Sequence, residues 1–433
     1  MTPPAQLTRE LGIPGATLMG LGSIIGTGVF VSIGIAAGVA GSAVILAIAI
    51  GAIVAAFNGL SSAQLAANHP VSGGTYEYGY RYLNPQLGFI AGWAFLLAKS
   101  ASAATAALGF SGYLLETLDL DGDLLVPIAL IGVIILTGIV LAGIRRSNTA
   151  NTLIVSVTLA VLLFFIMGGI STGLDGSNFT PFLPESGNTG EDIRAVLYAS
   201  ALMFVAYTGY GRIATLGEEV RDPKRTIPRA IITTLLVTMI LYMGVGIVGV
   251  GLISADGLAS ATDTQAAPLE VAARNFDLSI APQILAVGAV TAMIGVLLNL
   301  ILGLSRVLLA MGRRHDMPPA VARINASGTT PYIAVIVMGT VIAGLVLIGD
   351  VKTTWSFSAF TVLIYYSITN LAALQLTAKE RLFPRAVSWA GLGACLFLAF
   401  WVNVEVWVIG LIVLGAGLVW QIIARRMFGA PKV

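Results

Sequence analysis

The 433-residue chain has one cysteine, two histidines and few charges: Asp, Glu, Lys and Arg together make up 10% of it, against about 25% in an average soluble domain. A lone Cys395 excludes an intramolecular disulfide framework and any cysteine metal cluster. His69 and His315 lie far apart in polar connections and give no metal-ligand spacing. No metal and no cofactor are therefore expected. The chain also lacks a G-x-x-x-x-G-K-[ST] loop to cradle nucleotide phosphates and an H-E-x-x-H pair. These absences argue against an ATP-driven pump and a metallohydrolase, and the chain is not expected to be an enzyme. A channel would want rings of charge or of carbonyls from repeated loops, and no such repeat is visible.

What is abundant is apolar sequence, at 57% of residues. Runs of about 17 to 25 apolar residues can cross a bilayer. Twelve such stretches are predicted, near 14–39, 41–67, 87–115, 124–143, 150–171, 193–217, 227–252, 280–311, 331–348, 355–377, 386–403 and 405–424. The first follows a polar start with Arg9 and Glu10, so it is expected to be a retained span rather than a cleaved leader. With the N-terminus inside, 19 of the 23 Lys and Arg fall on the inner side; Arg194, Arg274 and Lys352 fall outside, and Lys99 lies within a span. Acids run the other way, with Glu116, Asp119, Asp121 and Asp123 after the third span and Asp256, Asp263, Glu270 and Asp277 after the seventh. This asymmetry predicts an all-α polytopic protein of about twelve spans in a cell inner (cytoplasmic) membrane, with both termini cytoplasmic. The net charge of +2 thus reflects polarity across a bilayer, not a nucleic-acid surface. The longest polar connections, 172–192 and 253–279, are too short for a soluble domain, so residues 1–433 read as one transmembrane domain.

Two spans are interrupted. The first contains GSIIGTG, with Ser23 and Thr27 among its glycines; the sixth contains FVAYTGYG, residues 204–211. An interior glycine costs a helix about 1 kcal/mol relative to alanine, and a backbone broken in hydrocarbon needs other partners. Spans one and six are five apart, the spacing of two inverted five-helix repeats, and paired interruptions of this kind point to a substrate site near mid-membrane. Such breaks expose N–H groups to an anion and carbonyls to a cation, and an amino acid supplies both charges. Gly22 and Gly26 also form a G-x-x-x-G, which on its own means only close helix packing.

At four separated places the sequence resembles the amino acid, polyamine and organocation transporter superfamily. GSIIGTGVF is similar to its unwound first helix and HPVSGGTYEYGYRYLNPQLGFIAGW, residues 69–93, to its second-to-third-helix loop. FVAYTGYGRIATLGEEVRDPKRTIPRAI, residues 204–231, and SRVLLAMGRRHDMP, residues 305–318, resemble its sixth helix with the loop that follows and the end of its eighth. The resemblance implies a five-plus-five inverted-repeat (LeuT-like) fold, with repeats at 14–171 and 193–377, two additional helices at 386–424, and alternating access around a central site. It places the substrate carboxylate on the N–H groups of Gly26, Thr27 and Gly28 with the Thr27 hydroxyl, Ser23 nearby, and the ammonium on the carbonyls of Ile24, Val205, Ala206 and Thr208. Phe204 and Tyr207 are the candidate gate aromatics beside Val205.

The pattern departs from the family in two places. Thr158 stands where many proton-coupled members carry a lysine, which leaves coupling to H+ or Na+ open; a threonine there also suits a helix whose hydroxyl bonds back to its own preceding turn. Lys99 lies deep in the third span, where a charge costs at least about 2.5 kcal/mol and marks a functional residue by default. As a proton carrier or a fixed cation it would disfavour cationic substrates. Ala98, Ser102 and Ala103 beside it suit close packing. Glu218 and Glu219, near Arg221, Lys224 and Arg225, read as a solvated basic loop, and Trp93, Trp355, Trp401, Trp407 and Trp420 as interfacial anchors. The reading is a secondary transporter of small neutral L-amino acids, by exchange or ion symport. A cationic amino acid or polyamine carrier of the same fold, and a sensor that binds amino acids without moving them, stay open.

Overall fold

A computed structural model describes residues 11–70, 73–143, 148–214, 220–325 and 330–429. Glu218 and Glu219 lie outside these residues. Among the described residues there is no strand, only an isolated bridge between Leu11 and Val220.

The first helix, α1 (Ile13–Ile24), begins after Gly12 with Pro14 in its first turn, where a missing N–H is harmless. It stops at Ile25, whose backbone is extended, and the chain resumes helix as α2 (Thr27–Phe30), kinks at Val31 and continues as α3 (Ser32–Ala40). Then follow α4 (Val44–Asn68), α5 (Thr75–Tyr82) and α6 (Pro85–Leu118). Asn84 caps α6 by accepting from the Leu87 N–H at 2.8 Å, with Pro85 next in line. The chain goes on through α7 (Leu125–Leu141), α8 (Asn148–Thr172) and α9 (Thr189–Tyr207), then a 3-10 turn at Thr208–Tyr210 and the short α10 (Gly211–Ala214). The remainder is α11 (Pro223–Gln265), kinked at Ser254 (φ 64°), α12 (Pro268–Ala273), α13 (Ala281–Arg313), α14 (Tyr332–Val346), α15 (Val351–Leu374), α16 (Arg385–Ala399) and α17 (Val404–Phe428). Among the described residues, nine helical stretches are long and apolar enough to cross a membrane and three shorter helices are also apolar.

Packing places α6 at the centre, between α13 and α15, while α4 lies against α9 and α11. The buried run Ala101, Ala103, Ala104, Ala106 and Ala107 lets α6 approach its neighbours closely without side-chain bulk. Ile134, Met167, Ile240 and Ile412, on the periphery, are each about two-thirds exposed. In water such a surface would be a liability; in a bilayer it is the solvated face.

Two polar joints tie the helices together. At one end Asp316, fully buried just past α13, accepts hydrogen bonds from the hydroxyls of Tyr76 (2.8 Å) and Tyr80 on α5, while Trp420 Nε1 on α17 donates to its carbonyl at 3.1 Å. Arg314 lies over the Tyr80 ring, 4.5 Å from its centre, and pairs with Glu77. The TYEYGYRY and GRRHDMP runs thus meet in one place.

At the opposite end α12 seals against α6 and α3. Tyr113 on α6 donates its hydroxyl hydrogen to the Phe30 carbonyl at 2.7 Å and accepts from the Leu269 N–H at 3.3 Å. Beside it the buried Glu270 accepts from the Thr117 hydroxyl at 2.8 Å, and its other oxygen has no partner. The charges facing it are Glu116 and Arg274, which pair with each other. Burial pushes the Glu270 carboxyl up from 4.5 to about 7. An acid whose value is raised in the folded state favours the fold when protonated, so its contribution is full below about pH 4.5 and is lost as pH rises through about 7. Glu270→Gln, which is neutral throughout, is expected to remove a fall in melting temperature between pH 5 and 8, an effect of roughly 1 to 3 kcal/mol. An unchanged slope in a pH series of melting curves on purified protein would refute this.

Candidate functional site

The two interruptions face each other. Gly209 in the 3-10 turn sits against the Ser23 carbonyl at the end of α1, so close that there is no room for a β-carbon. Gly28 sits against α9 and α11, where a β-carbon would stand 2.9 Å from both Ala206 Cβ and the Tyr242 hydroxyl. Glycine is used here for close approach of one backbone to another.

Between the breaks lies a cavity of about 40 Å³. Its lining comes from the first span (Ser23, Ile24, Thr27, Gly28), the sixth (Val205, Ala206, Thr208, Gly209), α6 (Lys99, Ser102), α13 (Val296, Leu300) and α15 (Trp355). Of the residues singled out from sequence, Gly26, Phe204, Tyr207 and Thr158 are not part of this lining. Gly26 is the link between α1 and α2, and its carbonyl accepts from the N–H groups of Val29 and Phe30. Phe204 is fully buried edge-on against Tyr366, and Tyr207 packs on Tyr242 and donates to the Ile48 carbonyl at 3.3 Å. The Thr158 hydroxyl bonds back to the Ile154 carbonyl at 2.7 Å.

The polar atoms of the cavity are largely committed. Tyr242 on α11 directs its single hydroxyl hydrogen between the carbonyls of Ile24 (3.0 Å) and Ala206 (3.3 Å), joining the two breaks. The Val205 carbonyl accepts both the N–H and the hydroxyl of Thr208, the latter at 2.8 Å. Tyr366 donates to the Thr208 carbonyl at 3.2 Å. The Thr208 carbonyl also accepts the Gly211 N–H. A carbonyl has two lone pairs, so Ile24 and Ala206 keep accepting capacity while Val205 and Thr208 have none left. The Thr27 hydroxyl is buried without a partner. Among the described residues no protein acceptor meets the N–H groups of Gly26, Thr27 or Gly28, as the first turn of a helix requires. Lys99 reaches in from α6 and donates to the Thr208 hydroxyl oxygen at 2.8 Å.

Trp355 corrects the sequence reading. It is 3% exposed, donates Nε1 to the Leu202 carbonyl at 3.0 Å and forms part of the cavity wall, so it is not an interfacial anchor. The helix α15 begins at Val351, one turn before it, which carries the indole inward beside α9. Tyr242, Val296 and Leu300 gave no sequence signal either, because none of them disturbs the apolar pattern of its own span.

No described group of three or more His, Cys, Asp or Glu could hold a metal ion. Two interrupted helices thus flank one cavity lined by backbone groups, hydroxyls, a single lysine and the apolar side chains of Val205, Val296, Leu300 and Trp355. Residues 15–430 match the amino acid permease family model, and the chain belongs to that family. It is 38% identical over 429 residues to an uncharacterized transporter of Mycobacterium tuberculosis (strain ATCC 25618 / H37Rv), covering 98% of this chain and 94% of the relative. It is 29% identical to the branched-chain amino acid permease BcaP of Bacillus subtilis (strain 168), with 94% and 92% covered. It is 30% identical to the vacuolar cationic amino acid transporter 2 of Arabidopsis thaliana, with 86% and 60% covered. The protein is a transporter-family membrane protein, not an enzyme, and the family resemblance read from its motifs is borne out.

Proposed function

We propose that this chain is a secondary transporter of small L-amino acids, working by alternating access across a cytoplasmic membrane, by exchange or by symport with H+ or Na+. The observation that carries the reading is the cavity between the two interrupted spans, which presents unbonded N–H groups from one side and carbonyls from the other. The substrate carboxylate takes the N–H groups of Gly26, Thr27 and Gly28, and the unpartnered Thr27 hydroxyl adds a donor. The ammonium takes the carbonyls of Ile24 and Ala206; those of Val205 and Thr208 each already accept two bonds, so these two residues line the site with their side chains instead. The small volume favours small side chains.

In this reading the protein has twelve spans with both termini cytoplasmic. Residues 14–171 and 193–377 are inverted repeats, and 386–424 add two helices. Any ion coupling rests on Lys99, because the Thr158 hydroxyl is committed to its own helix. Lys99 in the cavity also disfavours cationic substrates by like-charge repulsion. In proteoliposomes holding purified protein, preloaded unlabelled alanine is expected to stimulate uptake of radiolabelled alanine at equal pH and salt across the membrane. No stimulation, with no uptake under imposed ion gradients, would overturn the proposal and leave a binding-only protein.

A further inference from the structure

With the two interrupted spans assigned to the substrate's main-chain atoms, the rest of the wall is left for its side chain: Lys99, Ser102, Val296, Leu300 and Trp355. Two of its three polar groups are spoken for. Ser102 Oγ pairs with Ser358 Oγ at 2.7 Å, and the Trp355 indole N–H goes to the Leu202 carbonyl. Lys99 is different. An ammonium has three donors, and the bond it makes is to Thr208 Oγ1, a neutral oxygen whose own hydrogen is directed to the Val205 carbonyl. None of the residues lining the cavity is acidic, and neither of the two ion pairs among the described residues involves Lys99. A partly buried cation without a counter-charge is unfavourable. A substrate that brings an anion to this wall relieves that cost, and one that brings a methyl group does not.

We infer that Lys99 reads the substrate side chain, and that among small amino acids the cavity prefers those ending in a carboxylate, aspartate first, over alanine. This rests on the reading of the cavity as an amino acid site. The carboxylate accepts a charge-assisted hydrogen bond from Nζ, the strong type. The asparagine amide and the serine hydroxyl accept weaker ones, and arginine or lysine side chains meet repulsion. The specificity is positional: the broken spans recognise any α-amino acid, while α6 selects among them.

The test is counterflow in proteoliposomes loaded with unlabelled alanine, measuring inhibition of external radiolabelled alanine uptake by L-aspartate, L-asparagine, L-alanine and L-arginine. It is paired with direct binding of radiolabelled aspartate and alanine to the purified protein. In the wild type aspartate is expected to act at a concentration about ten- to hundredfold below alanine, and arginine not at all. In Lys99→Met the ratio of aspartate to alanine half-inhibition is expected to collapse toward one, with Lys99→Arg retaining part of it. Alanine exchange with no aspartate advantage in the wild type, or an advantage preserved in Lys99→Met, would overturn this inference and leave the transport reading standing. Neither exchange nor binding of any amino acid by the wild type would overturn both. If Lys99→Met does not fold, the wild-type ranking still decides.

Discussion

Gly209→Ala is expected to abolish amino acid uptake, to below about 1% of wild type, while the protein still reaches the membrane. The added methyl has nowhere to go: its position falls on the Ser23 carbonyl, and backbone cannot step aside as a flexible side chain can. The two breaks must separate, and every group of the cavity contributed by one span moves relative to those of the other. Misplacement by about 1 Å at a binding site is enough for hundredfold losses. Gly28→Leu acts on the same junction from the other side, against Ala206 and Tyr242, and is expected to lose substrate affinity with it. Equilibrium binding of radiolabelled substrate, alongside size-exclusion profiles as the measure of folding, makes the check. Retained affinity in a well-folded Gly209→Ala would remove the junction from the site.

Tyr242→Phe is expected to lower the maximal transport rate about ten- to hundredfold. Its hydroxyl bridges the Ile24 and Ala206 carbonyls, which end the two helical segments on either side of the cavity. Phenylalanine keeps the ring and its packing on Tyr207 but leaves both buried acceptors short of a donor, a cost of about 1 to 3 kcal/mol. Melting temperature and initial uptake rate separate the effects: a structural role lowers both together, whereas a role in holding the breaks in register lowers uptake with little change in melting. Wild-type rates in Tyr242→Phe would show that the bridge is dispensable.

How much of this was legible beforehand depends on whether a residue disturbs its local pattern. GSIIGTG and the 204–211 run announce themselves, because glycines and hydroxyls in an apolar helix are locally unfavourable and so need a reason. Lys99 stands out for the same cause. Both breaks and the lysine do meet at one cavity. Tyr242 and Trp355, by contrast, sit in helices with good apolar patterns, and an aromatic there reads as packing or as an anchor. What makes them part of the site is the proximity of helices far apart in sequence, which no local signal encodes. Phe204 and Tyr207 show the converse. They neighbour the break in sequence, yet helix rotation turns them away from the cavity, toward Tyr366 and Ile48. The Thr158 hydroxyl, bonded to its own preceding turn, follows the general habit of threonine in apolar helices.

The joint around Asp316 has a bearing on the order in which the molecule is put together. Its carboxylate collects hydroxyls from α5, a segment made early, and its peptide carbonyl waits for the indole of Trp420, which emerges from the ribosome more than a hundred residues after Asp316 itself. Until α17 is inserted, that end of the bundle is short of a donor, and a chain stopped before Trp420 never acquires it. Helix α17, peripheral to the cavity and mostly exposed on the outside of the bundle, thus supplies a donor that the Asp316 joint lacks until that helix has packed.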